Sequence, residues 1–167
     1  MRNRRADSLL EKKIKSIKVL KAIISRLKKS GRKIVFTNGC FDLLHYGHVK
    51  YLQDAKGKGD ILIVALNSDS SVRRIKGKNR PLVCQQDRVR VIAGLESVDY
   101  VVLFKENTPL ETIKQLKPDI LIKGADWKKC DIVGADFIKS HKGEVGTVPL
   151  LKNRSTSNLI KKIAKSF

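Results

Sequence analysis

The sequence predicts a doubly wound α/β domain, and three observations predict it. Five short apolar runs, Ile34–Phe36, Asp60–Leu66, Asp99–Phe104, Pro118–Ile122 and Glu144–Val148, are spaced along the chain. The longest of them are continuously apolar rather than alternating, as strands of a parallel sheet covered on both faces must be. Helical patterns fall between them, which makes successive βαβ units. The expected architecture is a five-stranded parallel sheet with helices on both faces, preceded by an N-terminal amphipathic helix. No repeat, low-complexity tract or linker interrupts the 167 residues, so residues 1–167 read as one domain. Ligands of such a sheet bind outside the carboxyl ends of its strands, where the strand order reverses.

The elements follow in order. Residues 1–15 carry Arg2, Arg4, Arg5, Lys12, Lys13 and Lys15 and are expected to be a loosely held basic start. From Ser16, a candidate N-cap, Leu20, Ile23, Ile24 and Leu27 recur at helical spacing and Gly31 stands where the helix should stop, so residues 16–30 form an amphipathic helix packed on the domain. Gly47 to Lys56 reads as the next helix, closed by Gly57 and Gly59. After the second strand come a short helix from Asn67 through Arg74, a basic loop Lys76–Pro81, and a longer helix from about Gln85 to Leu95. Pro109 opens a helix to Leu116, as proline does in a first turn. Helices from about Ile132 to Ser140 and Ser155 to Ala164 bracket the fifth strand.

Composition bounds the partners. Lys and Arg total 36 against 16 Asp and Glu, a net charge of +20, which favours polyanions and small phosphorylated substrates. A nucleic-acid-binding protein is the reading from a different class, but aromatics are only 5% and no nucleic-acid motif is present, so no nucleic-acid partner is expected. Cys40, Cys84 and Cys130 stand far apart, an odd set that suits a reducing compartment, and the cytoplasm is the expected location. No apolar run is long enough to span a membrane, and no membrane partner is expected.

The chemistry concentrates in the stretch from Thr37 to His48. Asn38-Gly39 permits a sharp turn in which Gly39 lets a ligand approach the backbone. The helix beginning near Gly47 offers its positive end to the same space. His45 and His48, three apart, can both face one locus, and Gly47 between them leaves room for a flat group such as a base. Cys40, His45 and His48 are also zinc-ligand types, and Asp42 could complete a set. Cys84 and Cys130 have no partner at ligand spacing, so no metal site is expected, with zinc as the rival reading.

The run GCFDLLHYGH resembles the signature of the His-x-Gly-His nucleotidyltransferase superfamily. From about Ile14 onward the chain is similar to its D-glycero-β-D-manno-heptose 1-phosphate adenylyltransferase branch, through Val64–Asp69, Lys76-Gly77 with Arg80-Pro81, Val98-Asp99, Ile122–Asp126 and Ser155–Ile160. The resemblance implies a Rossmann-like fold and transfer of AMP from ATP, with Mg2+, to a sugar 1-phosphate in ADP-heptose synthesis for lipopolysaccharide. It implies that His45, His48, Lys76 and Arg88 act on the reacting phosphates, with Lys78 and Arg80 as local competitors for the Lys76 role. The nucleotide would lie against Asn38, Gly39, Cys40, Phe41 and Gly47, the loop Lys123, Gly124, Asp126 and Trp127, and Ser155 and Thr156. Asp42, Asn67 and Lys76 would face the acceptor. A separate sugar kinase would supply the 1-phosphate, and a homodimer is in keeping with related families. Glycerol-phosphate and ethanolamine-phosphate cytidylyltransferases are similar in the same blocks and remain the alternative within this chemistry.

The residues suit that reaction. A sugar 1-phosphate has a second pKa of about 6 and is already a nucleophilic dianion at neutral pH, so no general base is needed. Catalysis then reduces to positioning and to neutralising charge on the phosphoryl oxygens. Histidines, basic residues and N–H donors serve that purpose, and the chain offers them in place of a Ser/His/Asp triad.

Overall fold

The computed structural model describes residues 4–151 and 154–166. Strands β1 (Ile34–Gly39), β2 (Ile61–Asn67), β3 (Tyr100–Phe104), β4 (Ile120–Gly124) and β5 (Glu144–Val148) form one parallel sheet in the order β3-β2-β1-β4-β5. The chain therefore steps outward from β1 to β3, returns to the middle, and continues from β4 to the other edge. The reversal of strand order falls between β1 and β4.

Because side chains alternate across a strand, each strand feeds two cores. Val35, Leu62, Val64, Val101 and Ile122 point to one face, where they meet Leu52 and Ala55 of α3 (Tyr46–Lys56) and Val89 and Ile92 of α5 (Gln85–Ala93). Ile34, Phe36, Ile63, Val102 and Leu121 point to the other, against Leu20 and Ile24 of α2 (Ile17–Lys29), Ile113 and Leu116 of α6 (Leu110–Leu116) and Ile138 of α7 (Ala135–Ser140). Between β2 and α5 lies the short helix α4 (Asp69–Lys76).

The amphipathic helix from Ser16 is present as α2. Ser16 caps it by accepting from the Val19 N–H, and Gly31 follows its end at φ +77°, a conformation that glycine adopts without strain.

The basic start is not a loose segment over its described length. Residues Arg4–Lys13 form a helix, α1, while residues 1–3 lie outside the described residues. Leu10 and Ile14, four apart, pack against the α5 side of the core. Glu11 pairs with Arg90 of α5 at 3.0 Å, Lys13 Nζ donates to the Leu95 carbonyl, and the Lys15 N–H donates to the Val101 carbonyl at 2.9 Å. The density of charge hid a two-residue apolar contact that becomes legible only once α5 is alongside. The helix expected from Ile132 starts later, at Ala135, because a single 3₁₀ turn (Lys129–Asp131) and Gly134 at φ +90° precede it.

Leu20 is fully buried between α2 and the sheet, whereas Val19 beside it is 48% exposed. Leu20→Ala should destabilise the fold by about 2–5 kcal/mol in urea unfolding, and Val19→Ala by less than about 0.5 kcal/mol. Equal costs would mean that α2 does not dock as described.

Candidate active site at the split between β1 and β4

β1 and β4 pair through only two residues each, Val35 with Ile120 and Phe36 with Leu121, and then diverge. The groups exposed by that divergence need partners. Tyr51 of α3 supplies one, its hydroxyl lying 2.6 Å from Thr37 Oγ1 and donating to the Ile122 carbonyl at 3.2 Å. Burial pushes the Tyr51 pKa up to about 12, so it stays neutral. Lys123, at the end of β4, reaches across and donates to the Asn38 backbone carbonyl and Oδ1, both at 3.2 Å. Above these bridges opens a cavity of about 640 Å3.

The turn after β1 forms the floor. Its left-handed residue is Phe41, at φ 45°, rather than Gly39. For a phenylalanine this backbone costs roughly 1 kcal/mol. The ring folds back over Gly39, where a Cβ would come within 2.9 Å of it, and meets His48 edge-on with centroids 5.3 Å apart. Gly39 is therefore required by the Phe41 ring. Gly47 likewise makes room for protein: a Cβ there would lie 3.0 Å from the His45 ring and 3.1 Å from Arg154 Cβ. The flat group over Gly47 in this structure is an imidazole.

His45 is the N-cap residue of α3 and His48 lies in its first turn, and their rings stack at 3.9 Å. Both nitrogens of His45 and Nδ1 of His48 are buried without a hydrogen-bond partner among the described residues. Such groups are costly unless something fills the vacancy, and both rings line the cavity. Burial lowers the pKa of both, with the Arg154 charge adding to the effect at His45 and the neighbouring His45 adding to it at His48, which falls to about 4. At pH 7 the pair is neutral.

Asp42 does not present a free carboxylate. It is 5% exposed and accepts from Arg80 Nε at 2.6 Å and from the Leu82 and Val83 N–H groups at 2.8 and 2.9 Å. Its work is to fold the basic loop back over the turn, which leaves Lys76 exposed at the rim and Arg80 paired. Asn67 lines the cavity with its amide engaged, Nδ2 donating to Ser71 Oγ at 3.0 Å and Oδ1 accepting weakly from Cys40 Sγ. Burial raises the Cys40 pKa, so the thiol is protonated.

Arg88, expected to touch phosphate, does not reach the cavity. Its side chain is fully buried behind the turn, donating to the carbonyls of Val83, Cys40 and Asn67 and pairing with Asp69 at 2.7 Å. A guanidinium with several donors suits this task of tying three chain segments together.

The remaining wall comes from β4, β5 and α8 (Thr156–Ala164). Lys123 Nζ stands 5.2 Å from the Trp127 ring centroid, and Trp127 is 43% exposed. Burial lowers the Lys123 pKa, while Asp126 opposes the shift. At Gly124 a Cβ would sit 2.5 Å from Asp126 Oδ1 and 2.9 Å from Leu150 Cδ1, so a side chain there would displace both. Ser155 caps α8 by accepting from the Asn158 N–H, and Thr156 Oγ1 donates to the Leu43 carbonyl at 3.3 Å, tying the helix start to the turn. Arg88 and Lys78 apart, every site residue named from the sequence lines this one cavity. Tyr51, Asn107 and Thr108 line it too and were not foreseen. Tyr51 carried a signal, one turn beyond His48 on the same helix.

Residues 36–162 match the cytidylyltransferase-like family. The chain belongs to that family. It is an enzyme, a nucleotidyltransferase, and the stacked histidines sit at the head of α3 in the family's region. Among relatives of this cytidylyltransferase-like chain, the bifunctional protein HldE of Geobacter sulfurreducens is 49% identical over 155 residues, covering 93% of this chain and 32% of that protein. That of Wolinella succinogenes is 52% identical over 156 residues, covering 93% and 32%. The chain spans about a third of the length of these curated relatives. The crystal structure of a lipopolysaccharide core biosynthesis protein from Thermoplasma volcanium superposes with a TM-score of 0.60 at 31% identity, over 74% of this chain and all of that one. Pantoate-beta-alanine ligase from Francisella tularensis shares the fold, with a TM-score of 0.57 at 18% identity over 91% of this chain and 78% of that one.

Stability should carry the signature of the neutral histidines. His48 titrates near 4 in the folded chain and near 6.5 when unfolded. Between those values the unfolded chain binds more protons, so this contribution is present above pH 6.5 and lost as pH falls toward 4. In denaturant titrations at pH 7 and pH 4.5, His48→Gln should lose less stability than the unaltered protein. Parallel losses would show that the ring is not held neutral.

Proposed function

We propose that the chain transfers AMP from ATP to D-glycero-β-D-manno-heptose 1-phosphate, giving ADP-heptose and pyrophosphate by in-line attack of the sugar phosphate on the α-phosphorus. The observation that carries the reading is the pair of stacked imidazoles whose buried nitrogens have no partner among the described residues and face a cavity shared with the start of α8. Phosphate oxygens supply the missing partners. The specific acceptor and base rest on the half-identity to the HldE proteins along nearly the whole chain.

In this reading the triphosphate lies across His45 and His48 toward the N-terminus of α8, where unpaired N–H groups favour anions. The base lies by Lys123, Gly124, Asp126 and Trp127. Lys76, at the rim of the basic loop, neutralises charge on the phosphoryl oxygens. Arg88 holds the turn from behind. Among the described residues no three His, Cys, Asp or Glu side chains converge on a point that could hold a metal ion. The magnesium that accompanies ATP would ride on the triphosphate oxygens, adding to the charge neutralisation there. The sugar 1-phosphate would come from a kinase site outside these 167 residues. No described helix is long and apolar enough to cross a membrane.

The alternative, a cytidylyltransferase for glycerol 3-phosphate or ethanolamine phosphate, is favoured by the family to which the chain belongs. A matrix of nucleoside triphosphates against sugar and alcohol phosphates, scored by pyrophosphate release, separates the two. Release with ATP and heptose 1-phosphate is the expected result, and release with CTP and glycerol 3-phosphate alone would sink it.

His48→Ala should lower kcat by about a hundredfold or more, the usual loss for a preorganised donor to a developing charge. Its melting temperature should stay within a few degrees, because the deleted ring is half-buried and partnerless. An unchanged rate would remove His48 from the reaction.

A further inference from the structure

The proposed reading leaves one wall of the cavity without a task. Asn107 and Thr108, on the loop between β3 and α6, line it together with Lys76 and Asn67. This side lies over β2 and β3, across β1 from the Lys123–Trp127 loop and α8. In-line displacement needs the nucleophile opposite the leaving pyrophosphate. With the triphosphate directed toward α8, the acceptor enters over β2 and β3.

The loop there is exposed, yet it is fastened from beneath. Ser71 of α4, fully buried, donates its hydroxyl to the Glu106 carbonyl at 2.6 Å and accepts from Asn67 Nδ2 at 3.0 Å. Arg74, one turn along the same helix, donates from Nε to Asn107 Oδ1 at 2.7 Å and from Nη2 to the Lys105 carbonyl. Arginine can only donate, so it fixes which end of the Asn107 amide it holds. The oxygen is turned to Arg74, and the NH2 group, without a partner among the described residues, is left for a ligand. An oriented amide donor and a threonine hydroxyl are groups that recognise hydroxyls. The carboxylate on this side, Asp42, is neutralised by Arg80 and two backbone N–H groups, so it does not repel an incoming phosphate.

We propose that Asn107 and Thr108 bind the hydroxyl groups of the acceptor, and that Arg74 is the positioning residue that orients the Asn107 amide. This rests on the reading above that the acceptor is a hydroxylated phosphate. The acceptor phosphate lies by Lys76 and the histidines, and its carbon skeleton runs toward the β3–α6 loop. Acceptor choice is thus set on a different wall from nucleotide choice.

The test is a KM split, measured with whichever nucleotide and acceptor pair the unaltered enzyme uses best. Asn107→Ala should raise KM for the acceptor about fivefold to tenfold, the effect of one or two neutral hydrogen bonds, while KM for the nucleotide stays within twofold. Arg74→Ala should raise the same constant, with kcat little changed, and Thr108→Val should do so by about twofold or threefold. An acceptor lacking one hydroxyl should bind the unaltered enzyme more weakly at one position of deoxygenation and show no further loss there with Asn107→Ala. An unchanged acceptor KM, or a nucleotide KM that rises in step, overturns the assignment. A preference for glycerol 3-phosphate would overturn the heptose reading alone, since that acceptor also carries hydroxyls. An unaltered protein that binds no hydroxylated phosphate in calorimetry overturns both.

Discussion

The site depends on where β1 and β4 stop pairing. Two rungs hold these strands together, and beyond them the Asn38 and Ile122 carbonyls and the Thr37 hydroxyl face a gap. In a parallel sheet a gap of this kind opens only where strand order reverses, because there the helices leave on opposite faces. Tyr51 and Lys123 close the polar account of the gap without filling it. Both come from elements that also line the cavity, α3 with its histidines and β4 with the Lys123–Trp127 loop. The same contacts that make the crevice stable fix the distance between the two walls that a nucleotide would span.

A second layer of constraint acts from behind. Arg88 and Asp42 are buried charges, and each is fully occupied by chain rather than by ligand. Arg88 gathers the carbonyls of Cys40, Asn67 and Val83, the ends of β1 and β2 and the approach to α5. Asp42 gathers the loop that follows α4. Burying an ion is costly unless it is paired and hydrogen-bonded, and here Arg88 makes four hydrogen bonds, three of them to backbone carbonyls, while Asp42 accepts from Arg80 and two backbone N–H groups. Catalytic groups on loops gain rigidity in this way from charges that never contact substrate.

The sheet was legible because its strands are continuously apolar, a pattern that water-facing strands do not tolerate. The histidine turn was legible because polar residues at fixed spacing directly after a buried strand have few structural uses. Residue type alone did not separate a charge that binds ligand from one that binds backbone, and this is why Arg88 and Asp42 were read as facing phosphate and acceptor. Asp42 does line the cavity, with its carboxylate turned to Arg80 and backbone N–H groups, whereas Arg88 lies behind the turn. Their direction is set by carbonyls and N–H groups from other segments, which periodicity does not reveal. Asn107 and Thr108 were missed for a related reason, since their meaning comes from Arg74 and Ser71, more than thirty residues earlier. The helix α1 was missed because Leu10 and Ile14 are a thin apolar stripe among charges.

The electrostatics of the cavity add a further constraint on turnover. The chain carries a net charge of +20, and a site built wholly of fixed cations would hold pyrophosphate as firmly as it holds ATP. The histidines at the floor are neutral at pH 7 in the free protein, held so chiefly by burial, with the cationic Arg154 adding to the effect at His45 and His45 adding to it at His48. They are stacked, oriented and partnerless, so they can meet phosphate oxygens without reorganising. Their attraction for the ground state is that of neutral hydrogen-bonding groups. In the proposed reaction it would strengthen as charge builds on the phosphoryl oxygens, because a rising negative potential draws imidazoles toward their protonated form. Binding that grows along the reaction coordinate accelerates the chemical step, whereas uniform binding does not. The depressed pKa values and the fixed cations at the rim are therefore complementary. In the proposed reading, Lys76 and the basic surface would favour capture of the anion, and the neutral pair at the centre would reserve its strongest interaction for the displacement itself.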